Sequence, residues 1–376
     1  MDIKRSVTIL LPDDRVLRAT VDALQRVQQD LSETAYNDGA PLSAIALHHV
    51  MYARVTGTLN SQMTCSAIRL TAGAYASAKS NRHAIERPFA FRRARALFLI
   101  GKRGRDADFR ADGTLSIWTV AGRKRLSYVV PDAFKAMFAS AKEVDSLTVI
   151  ERDGRLLGRV TLTLEAPEPQ GVHPVGIDLN ETNALVAVDP DGRELFISGK
   201  AVKVANRHNY KTRKRVQQKH ATRKAEHKDT RGVRRVLKRL GRKRSNRTRT
   251  FAQTVARQLV QWAPKNAVLV FESLTVPQPR KGTVRGKGAR RRLSVWQRQL
   301  MRQAAECKAQ ETGMVVAEVN PAYTSQTCSR CGLRGLRKRH VFTCPSCGHS
   351  AHADVNAAVN IRNRYTAFRG SGLPVS

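Results

Sequence analysis

The sequence predicts an α/β fold with a β-rich region before it, and three observations support this prediction. Residues 175–179 and 184–188 have the pattern of two short strands joined by a polar turn. Residues 267–271, with the sequence AVLVF, form a continuous apolar run typical of a fully buried strand. Residues 88–164 contain several short stretches rich in strand-forming residues. We therefore expect a mixed sheet in the C-terminal half and a separate β-rich domain preceding it.

The composition indicates a polyanionic partner. The chain has 67 Lys and Arg against 30 Asp and Glu, a formal net charge of +37. So large an excess repels itself in the folded state unless a polyanion neutralises it. Nucleic acid is the first candidate and an anionic membrane surface the second. Because no apolar run approaches the roughly 18 residues of a spanning helix, we expect a soluble, cytoplasmic, nucleoid-associated prokaryotic protein.

The N-terminal region begins with a strand and continues with helices. Residues 4–11 alternate apolar and polar side chains, which predicts a half-buried strand. Apolar residues then recur at helical spacing over 15–36, and two more helical stretches follow at 43–55 and 64–80. We interpret these helices as a small bundle, in which no residue pattern points to catalysis.

The β-rich region that follows has the strand spacing of a small barrel or sandwich. The N-terminal strand could join it, which would make the helical bundle an insertion. Residues 166–171, which include two prolines and a glycine, form a linker to the next domain. The predicted strands are residues 89–91, 97–100, 115–120, 125–130, 146–150 and 158–164.

Two later stretches concentrate positive charge. Residues 200–250 contain 21 Lys or Arg and two acids, and residues 277–293 contain seven Lys or Arg and no acid. A charge run of this kind is often a solvated face or a disordered tail. Because the first stretch lies between two apolar segments, we favour a long basic helix or helix pair against a nucleic-acid backbone. Gly232 and Gly241 are the expected interruptions.

Four cysteines have the spacing of a zinc ribbon. Cys328 and Cys331 form one CxxC pair, Cys344 and Cys347 form a second, and 12 residues separate the pairs. Two such pairs supply four thiolates that can surround one Zn²⁺ ion tetrahedrally. Since four protein ligands complete the coordination shell, we expect a structural zinc and not a catalytic one.

Three carboxylates lie within or at the ends of predicted strands and helices. Asp178 lies in the strand 175–179, Glu272 ends the buried strand, and Asp354 lies at the start of a helix. For Asp354 alone, a carboxylate that complements the helix dipole is the simpler interpretation. Taken together, the three follow the element order of an RNase H-like fold, in which the acids would converge at one edge of the sheet. Three carboxylates suit Mg²⁺ or Mn²⁺, and two such ions can support in-line hydrolysis of a phosphodiester by an activated water.

The C-terminal half resembles the TnpB proteins of IS200/IS605-type transposable elements, which are related to the type V CRISPR effector nucleases. The resemblance covers about residues 174–365. It is carried by five segments: Gly176-Ile-Asp178-Leu, Phe271-Glu272-Ser-Leu, the run Asn320-Pro-Ala-Tyr-Thr-Ser-Gln-Thr-Cys328-Ser-Arg-Cys331-Gly, Cys344-Pro-Ser-Cys347-Gly, and Ala353-Asp354-Val-Asn-Ala-Ala-Val-Asn-Ile361.

The resemblance implies a domain organisation and a set of partners. It implies a RuvC nuclease domain split between 171–321 and 351–366, with a zinc ribbon at 322–350 inserted before its last motif and a tail at 367–376. The N-terminal half matches by architecture, as a wedge-like β-barrel (1–11 and 88–170) carrying a helical recognition lobe (12–87). The implied partners are a guide RNA from the transposon end, double-stranded target DNA beside a short adjacent motif, and a transposase encoded by the same element.

On the family pattern Asp178, Glu272 and Asp354 are the RuvC acids, and the basic segments would line the nucleic-acid channel. A channel of this kind binds the phosphate backbone through Lys and Arg and can stack bases on an aromatic ring. The predicted nucleic-acid contacts are Arg207, Lys211, Arg213, Arg215, Arg234, Arg242, Arg280, Lys281, Arg290, Arg291, Tyr323, Ser325 and Gln326.

Three alternatives remain open on the sequence. The first is a compact CRISPR effector, or a derivative co-opted for RNA-guided regulation. The second is a zinc-ribbon protein that binds nucleic acid without catalysis, against which the three acids argue. The third is a transposase that exchanges DNA strands with the same acids and metals.

Overall fold

The architecture is that of a computed structural model, which describes residues 1–36, 41–91, 95–101, 105–273 and 298–370. The chain divides into two units, residues 2–165 and residues 166–376 together with Met1. Each unit has its own sheets and helices. No helix in the described ranges is long and apolar enough to cross a membrane.

The N-terminal unit is built from seven strands and four helices in its described part. The strands are β1 (Asp2–Leu10), β2 (Arg95–Leu99), β3 (Ala107–Phe109), β4 (Thr114–Thr119), β5 (Gly122–Ser127), β6 (Glu143–Arg152) and β7 (Arg155–Glu165). The helices are α1 (Arg15–Ala35), α2 (Ala44–Val55), α3 (Ser61–Ser80) and α4 (Asp132–Ala139).

These strands form two antiparallel sheets, of order β1-β7-β6-β2 and β3-β4-β5. The N-terminal strand does join the later strands, since β1 pairs with β7 along its length, and the three helices α1–α3 lie between β1 and β2 in the chain. Leu10 exchanges two backbone hydrogen bonds with Val129, at 2.9 and 3.0 Å, beyond the end of β5. Closure of these sheets into a barrel stays a prediction.

One predicted strand of this unit is wrong, and two elements were not predicted. Residues 89–91 form no strand, because Phe89 packs on the helices: its ring stacks on Tyr75 at 4.3 Å, and its N–H donates to Tyr75 Oη at 3.1 Å. The short strand β3 and the helix α4 were not predicted from the sequence.

The C-terminal unit contains eight strands and four helices in its described part. The strands are β8 (His173–Asp178), β9 (Asn183–Val188), β10 (Glu194–Ser198), β11 (Ala267–Glu272), β12 (Val315–Val319), β13 (Leu336–Lys338), β14 (Val341–Thr343) and β15 (Ser350–His352). The helices are α5 (Lys200–Ala225), α6 (Arg231–Trp262), α7 (Arg298–Glu311) and α8 (Ala353–Gly370).

The main sheet of this unit is mixed, with the order β10-β9-β8-β11-β12. β9 is antiparallel to both of its neighbours, β10 and β8, whereas β8, β11 and β12 run parallel. In the β8–β11 ladder Phe271 lies opposite Ile177. The carboxyl ends of these two strands therefore lie side by side, as expected for functional groups at the edge of an open α/β sheet.

Helices cover both faces of this sheet. On one face Val255 and Leu259 of α6 and Ala305 of α7 pack against Val175, Ile177 and Phe271. On the other face Ile361 and Tyr365 of α8 pack against Val268 and Val270. Because both faces are buried, β11 is a continuous apolar run.

A glycine sets the close approach of α8 to β8. A Cβ atom at Gly176 would lie 2.0 Å from the carbonyl oxygen of Ala358, a distance that no side chain can occupy. The glycine therefore permits α8 to lie directly on β8, and this contact brings the start of α8 to the end of the strand.

The basic segment forms a helical hairpin, but its break is not at the glycines. Helix α5 ends at Ala225 and α6 begins at Arg231, and Gly232 and Gly241 both lie inside α6. The two helices run antiparallel, and Asn209 Nδ2 donates to Leu240 O at 3.1 Å between them. The turn at residues 226–230 interrupts the helix, whereas the glycines are tolerated within it.

Candidate functional site

The three predicted acids meet at one edge of the mixed sheet. Asp178 is the last residue of β8, Glu272 is the last residue of the neighbouring parallel strand β11, and Asp354 lies in the first turn of α8. Asp178 is 8% exposed and Asp354 is 1% exposed. Burial, together with the charges of Glu272 and Asp354, raises the pKa of Asp178 from its ordinary value of 3.8 to about 7.

Polar side chains from the following turn hold two of these acids. Asn180 Nδ2 donates to Asp178 Oδ2 at 3.3 Å, and Asn180 Oδ1 accepts the N–H groups of Thr182 and Asn183 at 3.0 and 2.9 Å. Asn183 Nδ2 in turn donates to Asp354 Oδ2 at 2.9 Å. One four-residue turn thus connects an acid of β8 with an acid of α8.

The other contacts come from the segment around the cysteines. Arg337 Nη2 of β13 donates to Asp354 Oδ1 at 2.7 Å, forming an ion pair with a buried carboxylate. The hydroxyl of Thr324 donates to Glu272 Oε1. Sequence reasoning did not single out Asn180, Asn183, Thr324 or Arg337. Their positions inside or beside the quoted motifs were the available signal.

The two asparagines of the last motif have a positioning role. Asn356 and Asn360 are four residues apart and lie on one face of α8. Asn360 Nδ2 donates to the carbonyl groups of Thr324 and Thr327 at 2.8 and 2.7 Å, and Asn356 Nδ2 donates to Thr327 O at 2.8 Å. These bonds hold the segment that carries Thr324 and leads into the first CxxC pair.

The four cysteines form one cluster in which all ligand atoms lie within 4.8 Å of one another. The Sγ atoms of Cys328 and Cys347 are 3.7 Å apart, and those of Cys331 and Cys344 are 3.6 Å apart. A tetrahedral Zn²⁺ with bonds of about 2.3 Å requires sulfur atoms about 3.8 Å apart, so the cluster fits this ion.

The local geometry of the cysteine cluster matches the ribbon interpretation. Gly332 and Gly348 follow the two pairs at φ +79° and +69°, as the tight turns require. The backbone N–H of Cys347 lowers the pKa of Cys344 to about 6, which favours the thiolate. The strands β13, β14 and β15 form the ribbon sheet, and Phe342 is completely buried within it.

The predicted nucleic-acid contacts fall into three groups. Those on the α5/α6 hairpin are exposed or half-buried: Arg207, Lys211, Arg213, Arg215, Arg234 and Arg242. Those in the loop before the first cysteine are Tyr323, Ser325 and Gln326, on either side of Thr324. The remaining four, Arg280, Lys281, Arg290 and Arg291, lie outside the described residues.

Tyr323 is the aromatic side chain of the loop group. It is 53% exposed, and the Arg334 guanidinium lies over its ring at 4.4 Å. The loop lies at the three-acid edge, because Thr324 within it contacts Glu272. Nucleic-acid binding by any of these residues stays a prediction.

Two family models match the chain. Residues 152–281 match a family described as "Probable transposase", and residues 299–361 match the Cas12f1-like TNB domain. The first match contains the strands of Asp178 and Glu272, and the second contains the four cysteines and Asp354.

The curated relatives of this chain include a TnpB-like protein and a Cas12f1 nuclease. A TnpB-like protein of Aquifex aeolicus (strain VF5) is 28% identical over 244 residues, which are 58% of this chain and 77% of that protein. A CRISPR-associated endodeoxyribonuclease Cas12f1 of Sulfoacidibacillus thermotolerans is 42% identical over 72 residues, but these cover 18% of this chain and 17% of that protein.

Solved structures share the fold over nearly the whole chain. The Cas12f1 chain of a complex with sgRNA and target DNA superposes with a TM-score of 0.63 at 16% identity, covering 93% of this chain and 82% of that one. The CasPhi-2 (Cas12j) chain bound to crRNA superposes with a TM-score of 0.52 at 12% identity, covering 100% and 99%.

Proposed function

Because the chain belongs to the TnpB family, we propose that it is a transposon-encoded, RNA-guided endonuclease that cleaves DNA by metal-dependent hydrolysis. The observation that carries this proposal is the meeting of Asp178, Glu272 and Asp354 at one sheet edge. A cluster of three carboxylates, two of them buried, is costly in a protein that has no cation to place there. A guide RNA would select the target by base pairing next to a short adjacent motif.

The donor set fits a hard divalent cation. All three side chains offer carboxylate oxygens, which Mg²⁺ and Mn²⁺ prefer. Burial, and after it the charges of Glu272 and Asp354, raise the pKa of Asp178, and a bound cation would offset both effects. Asp178, Glu272 and Asp354 would therefore hold Mg²⁺ or Mn²⁺, with two ions expected. When bound, such ions activate a water and neutralise the charge that develops on the phosphate.

The residues around the acids would prepare the site for its substrate. Asn183 and Arg337 each engage one oxygen of Asp354, and Thr324 engages Glu272. These contacts orient the carboxylates before a phosphate arrives. Loss of such an orienting neighbour commonly lowers metal affinity or activity about 10- to 100-fold. The Arg337 guanidinium also places a positive charge where a scissile phosphate would approach.

The proposed zinc has a structural role. Four cysteines leave no open coordination position, so Zn²⁺ would hold the two CxxC turns together and would not contact the substrate. Through β13 the ribbon carries Arg337 to Asp354. The ribbon would thus contribute to the catalytic site by positioning this arginine.

The basic hairpin α5/α6 supplies the proposed backbone contacts. Residues 200–250 carry 21 Lys or Arg, mostly exposed, and binding of this kind weakens with salt in proportion to the number of phosphates contacted. We assign the remaining roles by architecture. Residues 12–87 would form the recognition lobe, 1–11 and 88–170 the wedge-like domain, 171–321 and 351–366 the nuclease domain, and 322–350 the ribbon.

The test begins with the protein expressed together with its native flanking sequence. Co-purifying RNA is sequenced, and cleavage of DNA matching the 3′ end of that RNA is measured with and without Mg²⁺. Asp178→Asn should abolish cleavage while RNA binding persists. Asp191→Asn, the same change at an exposed aspartate after β9, should cleave as wild type does.

The alternatives give different results in this experiment. A discrete RNA without cleavage by any form of the protein would indicate a co-opted regulator. Cleavage guided by an RNA from a neighbouring repeat array would indicate a compact CRISPR effector. Joining of the cut DNA to another strand would indicate a strand-exchanging transposase, an activity for which the "Probable transposase" description leaves room. The absence of any specific RNA would contradict the guide hypothesis.

A further inference from the structure

A second set of potential metal ligands lies beside Asp354. His340 precedes β14, His352 ends β15, and Asp354 lies in the first turn of α8. One ligand atom from each lies within 4.8 Å of the others. We propose that these three residues form a site for a transition metal ion of the Zn²⁺ class. This site is separate from the four-cysteine cluster and shares one carboxylate with the three-acid edge.

The distance between His352 and Asp354 suits a bridging ion. His352 Nδ1 lies 4.0 Å from Asp354 Oδ2, which is too long for a hydrogen bond. A tetrahedral ion with bonds of about 2.0–2.1 Å requires these two atoms about 3.3–3.4 Å apart, so a shift of less than about 1 Å by the partly exposed imidazole would bring them to that separation. Arg337 engages the other oxygen, Oδ1, at 2.7 Å, so Oδ2 is the oxygen that faces the imidazole.

The Nδ1 atom of His352 is the acceptor nitrogen of its ring. His352 Nδ1 accepts the backbone N–H of Asp354 at 3.2 Å, so this nitrogen carries the lone pair in the neutral ring. An ion between the two side chains would take the place of this long hydrogen bond. Since a neutral imidazole nitrogen is the form that binds metals, the ring needs no change of tautomer.

The second imidazole is held next to the first by the fold. The rings of His340 and His352 stack at 5.6 Å with an angle of 20° between their planes. The N–H of Ala353 donates to His340 O at 2.7 Å, which ties His340 to the residue between His352 and Asp354. Phe196 of β10 contacts the His352 ring edge-to-face at 5.1 Å and restricts its rotation.

The chemistry of the donors separates this site from its neighbour. The three-acid edge offers oxygen ligands alone, which suits Mg²⁺ or Mn²⁺, whereas two imidazoles and one carboxylate suit Zn²⁺, Co²⁺ or Ni²⁺. His352 is 31% exposed, so an ion can reach the site from solvent, and the buried Asp354 supplies its negative charge. Three protein ligands leave coordination positions open for water.

Sharing of Asp354 has a consequence that rests on the proposed nuclease function. An ion held by His340, His352 and Asp354 withdraws this carboxylate from the three-acid edge. Zn²⁺ at this site would therefore inhibit cleavage supported by Mg²⁺. The binding of the ion itself does not depend on nuclease activity and can be measured without it.

The test uses the full chain without a polyhistidine tag, its cysteine cluster filled with one Zn²⁺ per chain. Co²⁺ is added, and binding is followed by calorimetry and by visible absorption. Wild type should bind one Co²⁺ with a ligand-field spectrum that lacks thiolate-to-cobalt charge transfer. His340→Ala and His352→Ala should each weaken this binding at least about tenfold, because each removes a ligand.

Two matched variants separate the possible sources of binding. His349→Ala removes a half-buried histidine of the same ribbon that is outside the cluster, and it should bind Co²⁺ as wild type does. Asp178→Asn removes an acid that only the three-acid edge uses, and it should also retain Co²⁺. Circular dichroism of each variant checks that the fold is intact.

Equal Co²⁺ affinity in wild type, His340→Ala and His352→Ala would overturn the proposal. Loss of binding in Asp178→Asn would assign the ion to the three acids instead and would overturn it as well. If the protein cleaves DNA, Zn²⁺ should inhibit wild type at least about tenfold more strongly than His352→Ala. A protein that binds Co²⁺ as expected but does not cleave would leave this site supported and the nuclease function contradicted.

Discussion

The cysteine cluster and the carboxylate cluster are built in different ways. The four cysteines come from two short turns within residues 328–347, and each turn places its pair by local backbone geometry. The three acids come from positions 178, 272 and 354 and meet because two parallel strands and one helix pack together. The first cluster is local and the second is a product of tertiary packing.

This difference predicts how each cluster responds to perturbation. A local cluster of thiolates gains its stability from the ion, since little else holds such a small sheet. A cluster of carboxylates on a packed sheet stays assembled without an ion, at the cost of mutual repulsion. Arg337 links the two regions through Asp354, and Asn183 contacts the same carboxylate from the main sheet.

Disruption of the cysteine cluster should have the largest effect. Cys344→Ser removes a thiol whose pKa is lowered to about 6, and the bound zinc should fall from one per chain to almost none. Structural zinc in comparable sites contributes on the order of 10 kcal/mol, so residues 322–350 should become sensitive to proteases. Metal analysis and limited proteolysis measure both effects. Cys307→Ser, at an exposed position on α7, should keep its zinc, and equal zinc in both variants would contradict the assignment.

Ionisation of Asp178 should make the Mg²⁺-free protein less stable as the pH rises. Its pKa is about 7 in the fold and near 4 in the unfolded chain, so its contribution to stability is complete below pH 4 and is lost as the pH rises through 7. The total is a few kcal/mol. Urea unfolding of the zinc-loaded protein at pH 5 and pH 8 measures the loss. Asp178→Asn should not show this loss of unfolding free energy between pH 5 and pH 8, and added Mg²⁺ should reduce it. An equal change with pH in wild type and Asp178→Asn would show that the pKa of Asp178 is not raised.

Separation of α8 from the sheet should disturb the carboxylate cluster and spare the zinc. Gly176→Ala places a methyl group where the Ala358 carbonyl lies, and such overpacking costs about 3 kcal/mol. Denaturant unfolding should show this loss with the zinc content unchanged. Gly73→Ala provides the control, since a Cβ there meets no atom within 4 Å and should stabilise α3 by about 1 kcal/mol. An unchanged free energy of unfolding in Gly176→Ala would show that α8 does not pack on β8 as described.

Removal of the link between the two clusters should have the smallest effect. Arg337→Gln takes the cation from a carboxylate that is 1% exposed, and we expect a loss of about 1–2 kcal/mol because Asn183 still donates to Asp354. The melting temperature measures this loss. Arg330→Gln, at an exposed position of the same ribbon, should change it little. An equal shift in both variants would mean that the Arg337 ion pair adds no stability.

The sequence allowed most of the C-terminal elements to be predicted, for reasons that particular residues show. The buried strand β11 follows from its unbroken apolar run, and the ribbon turns follow from the spacing of Cys328, Cys331, Cys344 and Cys347. The predicted break in the basic hairpin was at the wrong place, because glycine lowers helix stability by only about 1 kcal/mol and α6 tolerates this cost at Gly232 and Gly241.

The contacts around the acids could not be derived in the same way. Asn183, Thr324 and Arg337 are distant in sequence from the carboxylates that they contact, and their positions inside or beside the motifs do not indicate which carboxylate each one reaches. The strand expected at 89–91 failed for a similar reason. Its apolar residues suit a strand, but the contact with Tyr75 directs them to the helices.

Sequence patterns alone therefore specified the three acids, the spacing of the four cysteines, the basic segment and the strand that carries Glu272. These features depend on residue type and on short-range backbone geometry, which neighbours along the chain control. Packing of α8 on Gly176 decided that Asp354 would reach Asp178, and packing of the ribbon decided that Arg337 and His352 would reach Asp354. Such approaches depend on which apolar faces bury one another, and this is settled only when the whole domain is folded.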